Sequence, residues 1–367
     1  MSAARRATRT AGPKRTRSRC QGSESRRPKV RLFEGDCFEV MAGLEAESVD
    51  AVVTDPPYGI GFQGARWDSA AIREAAAQVE EDRLGPNEAF EVWARLWAAE
   101  CGRVMKPGAF LLAFGSPRTA HRLACGIEDA GLEIRDTLMW LYGEGMSKSR
   151  RYPGGRATTL KPAYEPIVLA RRALEGTTEE TIARHGTGAL NVEACRIGER
   201  HPANALLGHE PDCKDSGCAP GCTASAVDRH AAEYGSPEWI APSRFLYSPK
   251  ARRGERDAGC ERLPARALDL FPNSGTSGDA RNPHPCVKPT ELMRWLVRLV
   301  CPPRGVVLDP TCGSGTTGAG AVLEGRDFIG IELEPLYLEI SEARIAHWAK
   351  VGGRGLGCRR PLVRQRR

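Results

Sequence analysis

Short, almost continuously apolar runs alternate along most of the chain with longer stretches in which apolar residues recur at helical spacing. The runs Val30–Glu34, Val49–Thr54 and 109–114 have the composition of strands that are buried on both faces of a sheet. Segment 87–104 instead places Phe, Trp, Leu and Cys three or four positions apart, which is typical of an amphipathic helix. Strands that alternate with helices in this way predict a doubly wound, mostly parallel α/β sheet.

The alternation continues on both sides of one irregular stretch. It predicts helices over 36–44, 117–130, 290–300 and 336–349, a further helix that begins near Thr316, and strands over 132–140, 164–170, 306–308 and 328–332. Between about 143 and 290 Gly, Pro, Arg and Ser are frequent, and the strand at 164–170 is the one clear regular element. We interpret 143–283 as a loop-rich region inserted into the sheet domain.

Charge divides the chain further. The net charge of +7 is concentrated in two basic tails, at 1–29 and 350–367, and the body between them is mildly acidic. The tails contain too few apolar residues to form a core, so we expect them to be disordered. They either contact nucleic-acid phosphates or only increase solubility. The body then comprises a first half of the sheet domain (30–142), the inserted region (143–283) and a second half (284–349).

Composition excludes several classes of protein. The chain contains no run of about 18 apolar residues and no signal peptide, which excludes a membrane span and favours the cytoplasm. Its 13 cysteines are an odd number in a chain of 367 residues, so a disulfide framework is not expected.

Two loops carry the candidate chemistry. The first, DPTCGSGT at 309–316, joins a strand to a helix; Gly313 and Gly315 allow a tight turn and a close approach of the backbone to a ligand. Glu332 ends the next strand, where a carboxylate can accept hydrogen bonds from ribose hydroxyls. The segment therefore predicts a site for an adenosine-containing cofactor, although a tight turn without a ligand would use the same glycines.

The second loop is Asp55-Pro56-Pro57-Tyr58, directly after the strand Val49–Thr54. The Asp55 carboxylate and the Pro56 carbonyl can accept hydrogen bonds from a base amino group, and the Tyr58 ring offers a stacking face. The alternative is a structural turn, stiffened by two prolines, that has no catalytic role.

Together, these loops resemble the DPPY and cofactor motifs of the DNA amino-methyltransferases. Their order, with the catalytic loop first and a long region between, is similar to the β group of that family, and several segments within the region resemble its phage and prophage branch. The resemblance implies a Rossmann-like sheet of seven strands and a methyl group that passes directly from S-adenosylmethionine to a flipped base. It assigns catalysis to residues 55–58 and cofactor contacts to Asp36, Lys288, Thr290, Asp309, Pro310, Gly313, Ser314, Gly315, Thr316 and Glu332.

The resemblance leaves the substrate partly open. Asp55 favours N6 of adenine, because cytosine-N4 enzymes of the family often carry Ser at this position. Methylation of RNA or protein, and a DNA-binding protein without catalysis, are the remaining alternatives. The expected partner is double-stranded DNA, with no membrane; a separate restriction endonuclease and a homodimer stay open. Candidate DNA contacts are Lys148, Arg150, Arg151, Lys250, Arg252 and Arg253.

A cysteine-rich segment lies within the inserted region. His209, Cys213, Cys218 and Cys222 are spaced closely enough to hold a structural zinc ion in a turn-rich loop. A cysteine-rich loop without metal is the alternative.

Overall fold

The computed structural model describes residues 26–79, 84–142, 150–196, 201–207, 250–267, 279–352 and 363–366. Within these residues one large sheet carries nine strands, and two short hairpins lie outside it. The strands are β1 (Val30–Glu34), β2 (Val49–Thr54), β3 (Met105–Phe114), β4 (Glu133–Leu141), β5 (Arg151–Tyr152), β6 (Arg156–Ala157), β7 (Tyr164–Arg171), β8 (Ala205–Leu207), β9 (Arg266–Ala267), β10 (Asp279–Ala280), β11 (Val306–Asp309), β12 (Asp327–Glu332) and β13 (Val363–Arg366).

The helices connect these strands or cover the sheet. They are α1 (Cys37–Ala42), α2 (Ala70–Ala77), α3 (Pro86–Val104), α4 (Ala120–Asp129), α5 (Thr178–His185), α6 (Arg253–Asp257), α7 (Thr290–Val300), α8 (Thr316–Leu323) and α9 (Pro335–Gly352). Two short 3₁₀ helices, Phe62–Gly64 and Arg66–Asp68, follow the DPPY loop. No helix among the described residues is long and apolar enough to cross a membrane.

The large sheet has the order β13-β1-β12-β11-β2-β3-β7-β4-β8. Strands β1, β12, β11, β2 and β3 run parallel, and β7 pairs antiparallel with both β3 and β4. All six residues of β2 are buried, as its apolar run requires of a strand with neighbours on both sides and helices on both faces. The doubly wound α/β prediction is therefore confirmed.

Two hydrophobic layers hold the helices against the sheet. On one face Phe90, Trp93 and Trp97 of α3 stack in series, with ring centroids 6.0 and 5.8 Å apart, and pack against β2 and β3. On the other face α7 contributes seven buried apolar residues to a second cluster with β11 and β7. The period of about 3.6 residues in these two helices matches the faces that they bury.

The structure departs from the sequence predictions at the edges of the sheet. Seven central strands are present as expected, but β13 and β8 extend the sheet to nine. Residues 363–366 of the C-terminal tail pair in parallel with β1. The physical reason is that β1 would otherwise leave an unpaired edge, and backbone hydrogen bonds do not depend on apolar side chains. At the other tail, Lys29 N donates to Asp327 Oδ1 at 2.8 Å, so residues 26–29 are also fixed.

Candidate active site

The two motif loops leave adjacent strands of the sheet. Strands β2 and β11 are parallel neighbours, with Ala51 opposite Val307 and Val52 opposite Leu308. Both loops therefore begin at the same edge of the sheet, where open α/β sheets bind their ligands. The catalytic loop and the cofactor loop therefore lie side by side.

Both loops open into one cavity of about 1740 Å³. The sequence-predicted residues that line it are Asp36, Asp55, Pro56, Pro57, Tyr58, Lys288, Asp309, Pro310, Gly313, Ser314, Thr316 and Glu332. Two predicted cofactor contacts, Thr290 and Gly315, do not line the cavity. Thr290 is buried at the start of α7, where its N–H donates to Glu255 Oε1 at 2.6 Å. Gly315 instead forms the left-handed turn (φ 76°) that starts α8.

Asp68 determines the path of the chain after the two prolines. Its buried carboxylate accepts hydrogen bonds from the backbone N–H groups of Tyr58 (2.6 Å), Gly59 (2.7 Å), Ile60 (3.2 Å) and Phe62 (2.7 Å). Four donors converge on one side chain because the loop curls around it. Sequence analysis missed Asp68, because a single aspartate in a turn has no distinguishing pattern.

A cluster of polar side chains forms around Asp55. Its Oδ1 accepts the Tyr58 hydroxyl at 2.8 Å, and its Oδ2 lies 2.5 Å from Lys288 Nζ. Glu165, on β7, lies 3.3 Å from the same ammonium and accepts the Tyr142 hydroxyl at 3.3 Å. The Tyr58 oxygen, whose proton goes to Asp55, also lies 3.3 Å from Glu165 Oε2. The DPPY loop, the inserted region and the segment before α7 therefore meet at one point.

Burial and charge act against each other in this cluster. Burial raises the pKa of Asp55, and the Lys288 ammonium opposes that rise. Burial alone would lower the pKa of Lys288, but the Asp55 and Glu165 carboxylates raise it above its usual value. Burial and the same two carboxylates raise the pKa of Tyr58 well above its usual value. Lys288 is therefore charged and Tyr58 is neutral at physiological pH.

Tyr58 and Lys288 make contacts that the motifs did not predict. The Tyr58 hydroxyl is engaged with Asp55, while its half-buried ring packs against the core cluster beneath β7. Lys288 was predicted among the cofactor contacts, but its ammonium reaches the catalytic loop. Stacking of a base on Tyr58 stays a prediction.

The glycine-rich loop encloses the other end of the cavity. Gly313 has φ 53°, and a Cβ at this position would lie 2.7 Å from His284 Nε2. Its N–H donates to Glu332 Oε2 at 2.7 Å, and Glu334 N donates to Oε1 at 2.9 Å. Burial raises the pKa of Glu332 to about 7, although these two backbone hydrogen bonds act to lower it. Glycine is needed at Gly313 both for conformation and for space.

Arg344, on α9, supports this loop from beneath. Its fully buried guanidinium donates to the Ser314 carbonyl at 2.6 Å, to the Ser314 hydroxyl at 3.2 Å and to Thr316 Oγ1 at 2.9 Å. Burial lowers its pKa to about 10, so it remains charged. No sequence signal identified Arg344, although a basic residue on the buried face of the last helix is itself unusual.

The predicted DNA contacts lie partly in the cavity and partly on the surface, and the predicted zinc ligands lie outside the described residues. Lys250 lines the cavity, with Nζ 3.8 Å from the centroid of the Tyr142 ring, and Arg150, Arg252 and Arg253 are exposed. Only the backbone of Arg151 is described, in β5. Lys148 and the candidate zinc ligands His209, Cys213, Cys218 and Cys222 lie outside the described residues. Inside them, no three His, Cys, Asp or Glu side chains group closely enough to hold a metal ion.

The chain is similar to known DNA methylases. A family model described as DNA methylase, covering N6 and N4 enzymes, matches residues 49–343. The Type II methyltransferase M.HindIII of Haemophilus influenzae is 24% identical over 342 residues, which cover 82% of this chain and 90% of that protein. The Type II methyltransferase M.HinfI of the same species is 22% identical over 86% of this chain and 67% of its own length. The structure of the PvuII DNA methyltransferase (cytosine-N4-specific) matches in fold, with TM-score 0.52, 15% identity, and coverage of 90% of this chain and 96% of that one.

Proposed function

The chain belongs to the N6/N4 DNA methylase family, and on that premise we propose that it transfers a methyl group from S-adenosylmethionine to the N6 amino group of adenine in double-stranded DNA. One observation carries the proposal: the Asp55 carboxylate and the glycine-rich loop line the same cavity, on adjacent parallel strands. A base amino group that enters the cavity can donate to Asp55 and to the Pro56 carbonyl. These acceptors orient the nitrogen lone pair, and alignment of the reacting atoms supplies much of the rate.

The residues of the second loop fit S-adenosylmethionine. Gly313 has no Cβ, which would lie 2.7 Å from His284 Nε2, so the backbone of the loop stays accessible to the cofactor. The carboxyl group of Glu332 lies where ribose hydroxyls can donate to it. Asp36 lines the same end of the cavity, while its Oδ1 caps α1 through Phe38 N at 2.8 Å. When bound, the cofactor supplies an activated methyl group on a sulfonium centre.

Asp55 supports adenine rather than cytosine as the target, through the resemblance of the DPPY loop to the adenine enzymes. N4-cytosine methylation by the same chemistry is the second candidate, because both amino groups are exocyclic and both need the same acceptors. The fold shared with a cytosine-N4 enzyme is compatible with either base.

The inserted region 143–283 is proposed to recognise the DNA sequence. Its described part contributes Leu160 and Lys161 to the lining of the cavity, and the hairpin of β5 and β6 lies just before them in the chain. Arg150, Arg252 and Arg253 are proposed to contact phosphates, which would make binding strongly dependent on salt. A separate restriction endonuclease, a homodimer and a zinc ion in the 209–222 segment stay predictions from the sequence.

The test is the identity of the methylated nucleoside. The purified protein is incubated with methyl-labelled S-adenosylmethionine and unmethylated genomic DNA, and the digested nucleosides are separated. We expect label in N6-methyldeoxyadenosine, and none from the Asp55→Ala variant, which should still bind the cofactor. The variant shows whether the activity belongs to this site and not to a contaminant.

Three other outcomes are informative. Label in N4-methyldeoxycytidine would retain the mechanism and replace the target base. Label in neither nucleoside, with cofactor binding intact, would reject DNA as the substrate and favour RNA or protein. Equal labelling by the Asp55→Ala variant would reject this site.

A further inference from the structure

Three ionisable side chains from separate parts of the chain meet beside the catalytic loop. Lys288 Nζ lies 2.5 Å from Asp55 Oδ2 and 3.3 Å from Glu165 Oε2. The side chains are 8%, 19% and 17% exposed for Lys288, Asp55 and Glu165 respectively. Asp55 follows β2, Glu165 is the second residue of β7, and Lys288 precedes α7. One ammonium is thus held between two carboxylates.

With both carboxyl groups ionised, this arrangement carries a net negative charge in a mostly buried place. The ammonium can balance one of its two carboxylate partners, and the other is left in excess. Burying an unbalanced charge is costly, so a fold gains no stability from a second carboxylate here. The Tyr142 hydroxyl donates to Glu165 and reduces that cost without changing the charge. The excess charge therefore suits a cation that arrives in the cavity.

The proposed reaction creates a cation at this position. The lone pair of the amino nitrogen forms the new N–C bond, while the C–S bond breaks and its electron pair remains on sulfur. Positive charge thereby moves from sulfur to the base nitrogen, next to Asp55. It persists until the nitrogen gives a proton to the Asp55 carboxylate. Asp55 and Lys288 alone would form a neutral pair at this point, whereas Glu165 keeps the surroundings negative throughout.

We propose that Glu165 is a positioning residue for methyl transfer: it holds the Lys288 ammonium between two carboxylates and supplies the excess negative charge that stabilises the methylated, cationic nitrogen. In addition, Lys288 has a second partner when the target amino group takes its place on Asp55 Oδ2. Without Glu165, the ammonium would have Asp55 as its one carboxylate partner in the cluster, and the incoming amino group would compete with it for that oxygen. The inference rests on the proposed function, because it concerns the same methyl transfer.

The test compares Glu165→Gln, Glu165→Asp and wild type in single-turnover and steady-state methylation. The glutamine keeps the shape and removes the charge, so we expect kcat to fall about 10- to 100-fold, less than the roughly 100- to 1000-fold loss of a group that contacts the developing charge directly. The KM for DNA and the Kd for S-adenosylmethionine should stay within about threefold, because Glu165 interacts most strongly after binding. Glu165→Asp keeps the charge on a shorter side chain and should recover part of kcat. Glu128→Gln, which removes an exposed carboxylate on α4, is the matched control and should resemble wild type.

Two outcomes would overturn the inference while the proposed function stands: an unchanged kcat in Glu165→Gln, or a loss confined to KM or to cofactor affinity, which indicates a purely structural role. Should Glu165→Gln fail to fold, Glu165→Ala, which also removes the charge, replaces it in the same comparison: a lower kcat with unchanged KM supports the role, and a wild-type kcat rejects it. If the wild-type protein itself methylates no DNA, the proposed function has failed. This outcome is seen in the wild-type reaction alone and is therefore distinct from a failure of the role of Glu165.

Discussion

The Thr54 hydroxyl donates to Asp309 Oδ1 at 2.7 Å, although the two residues are 255 positions apart in the chain. Thr54 ends β2 and Asp309 ends β11, so this bond joins the catalytic loop to the cofactor loop. Thr311 extends the link: its Oγ1 lies 2.7 Å from Thr54 Oγ1, and it donates to the Asp55 carbonyl at 3.3 Å. The two halves of the site are thereby held in one geometry by buried side chains.

Substitution of Thr54 by Val should loosen this link. The change keeps the shape of the side chain but removes a donor from the buried Asp309 carboxylate, whose pKa burial already raises to about 6. We expect the free energy of unfolding to fall by about 1–3 kcal/mol, as for a buried acceptor that loses its partner. Chemical denaturation measures this loss. Thr137→Val, at an exposed position on β4, is the control; an equal loss there would show that the buried bond contributes nothing specific.

Substitution of Asp68 by Asn should impair catalysis by disturbing the path of the loop at 58–62. The amide replaces one acceptor oxygen with a donor group, so at least one backbone N–H in the loop at 58–62 loses its partner. We expect a loss of about 1–3 kcal/mol in stability and a larger relative fall in kcat than in cofactor affinity. Thermal unfolding and methylation kinetics measure the two effects. Asp129→Asn, exposed at the end of α4, should change neither; wild-type kcat in Asp68→Asn would show that the loop keeps its path unaided.

Cofactor affinity should increase with pH up to about neutrality. Burial raises the pKa of Glu332 to about 7, so its carboxyl group is largely protonated below that pH in the free protein. Ribose hydroxyls donate best to the ionised form, and binding therefore releases a proton. The affinity should rise as pH increases from about 5.5 to 7 and level off above it.

Titration calorimetry with S-adenosylmethionine over this range measures the effect, and Glu332→Gln is the control that should abolish the pH dependence. The variant is necessary because Asp309 has a pKa of about 6 and titrates in the same window. A slope that survives in the variant would assign the dependence to Asp309 or to another group.

Substitution of Gly313 by Ala should weaken cofactor binding through a steric conflict. The new Cβ would lie 2.7 Å from His284 Nε2, at a residue whose φ of 53° already disfavours a side chain. Gly325→Ala is a matched control, because Gly325 has φ 69° and nothing within 4 Å of the added Cβ. Both variants should lose about 1–3 kcal/mol of stability from backbone strain, but only Gly313→Ala should bind S-adenosylmethionine more weakly. Equal affinities, measured by calorimetry, would contradict the steric explanation; partial recovery in a Gly313→Ala, His284→Ala double variant would support it.

Sequence patterns predicted the regular elements and the two loops because each depends on local properties. The apolar runs predicted the bounds of β1 and β2, and the helical spacing predicted those of α7. These predictions hold because the burial of each position selects the side chain at that position. Gly313, Asp55 and Glu332 were identifiable because a turn, a strand end or an acceptor demands that residue type.

The residues that complete the site were not predictable in the same way. Asp68 acts because the chain folds back on it, and Glu165 acts because β7 inserts beside β3. Arg344 contacts Ser314 only after α9 packs against α8. Each of these roles depends on a tertiary contact between distant segments, and no spacing along the chain encodes it. The edge strand β13 was missed because its pairing relies on backbone groups, which composition does not report.

The pairing of β1 has a consequence for the synthesis of the protein. Val30 lies opposite Phe328 and Arg31 lies opposite Val363, so both neighbours of the first strand come from the C-terminal end of the chain. On the ribosome β1 emerges long before either partner, and it stays unpaired until the segments 327–332 and 363–366 have been synthesised. The catalytic half can form its local contacts during elongation, whereas β1 joins the sheet only after its two partner strands have been synthesised. An apolar strand that waits this long is a natural target for chaperones.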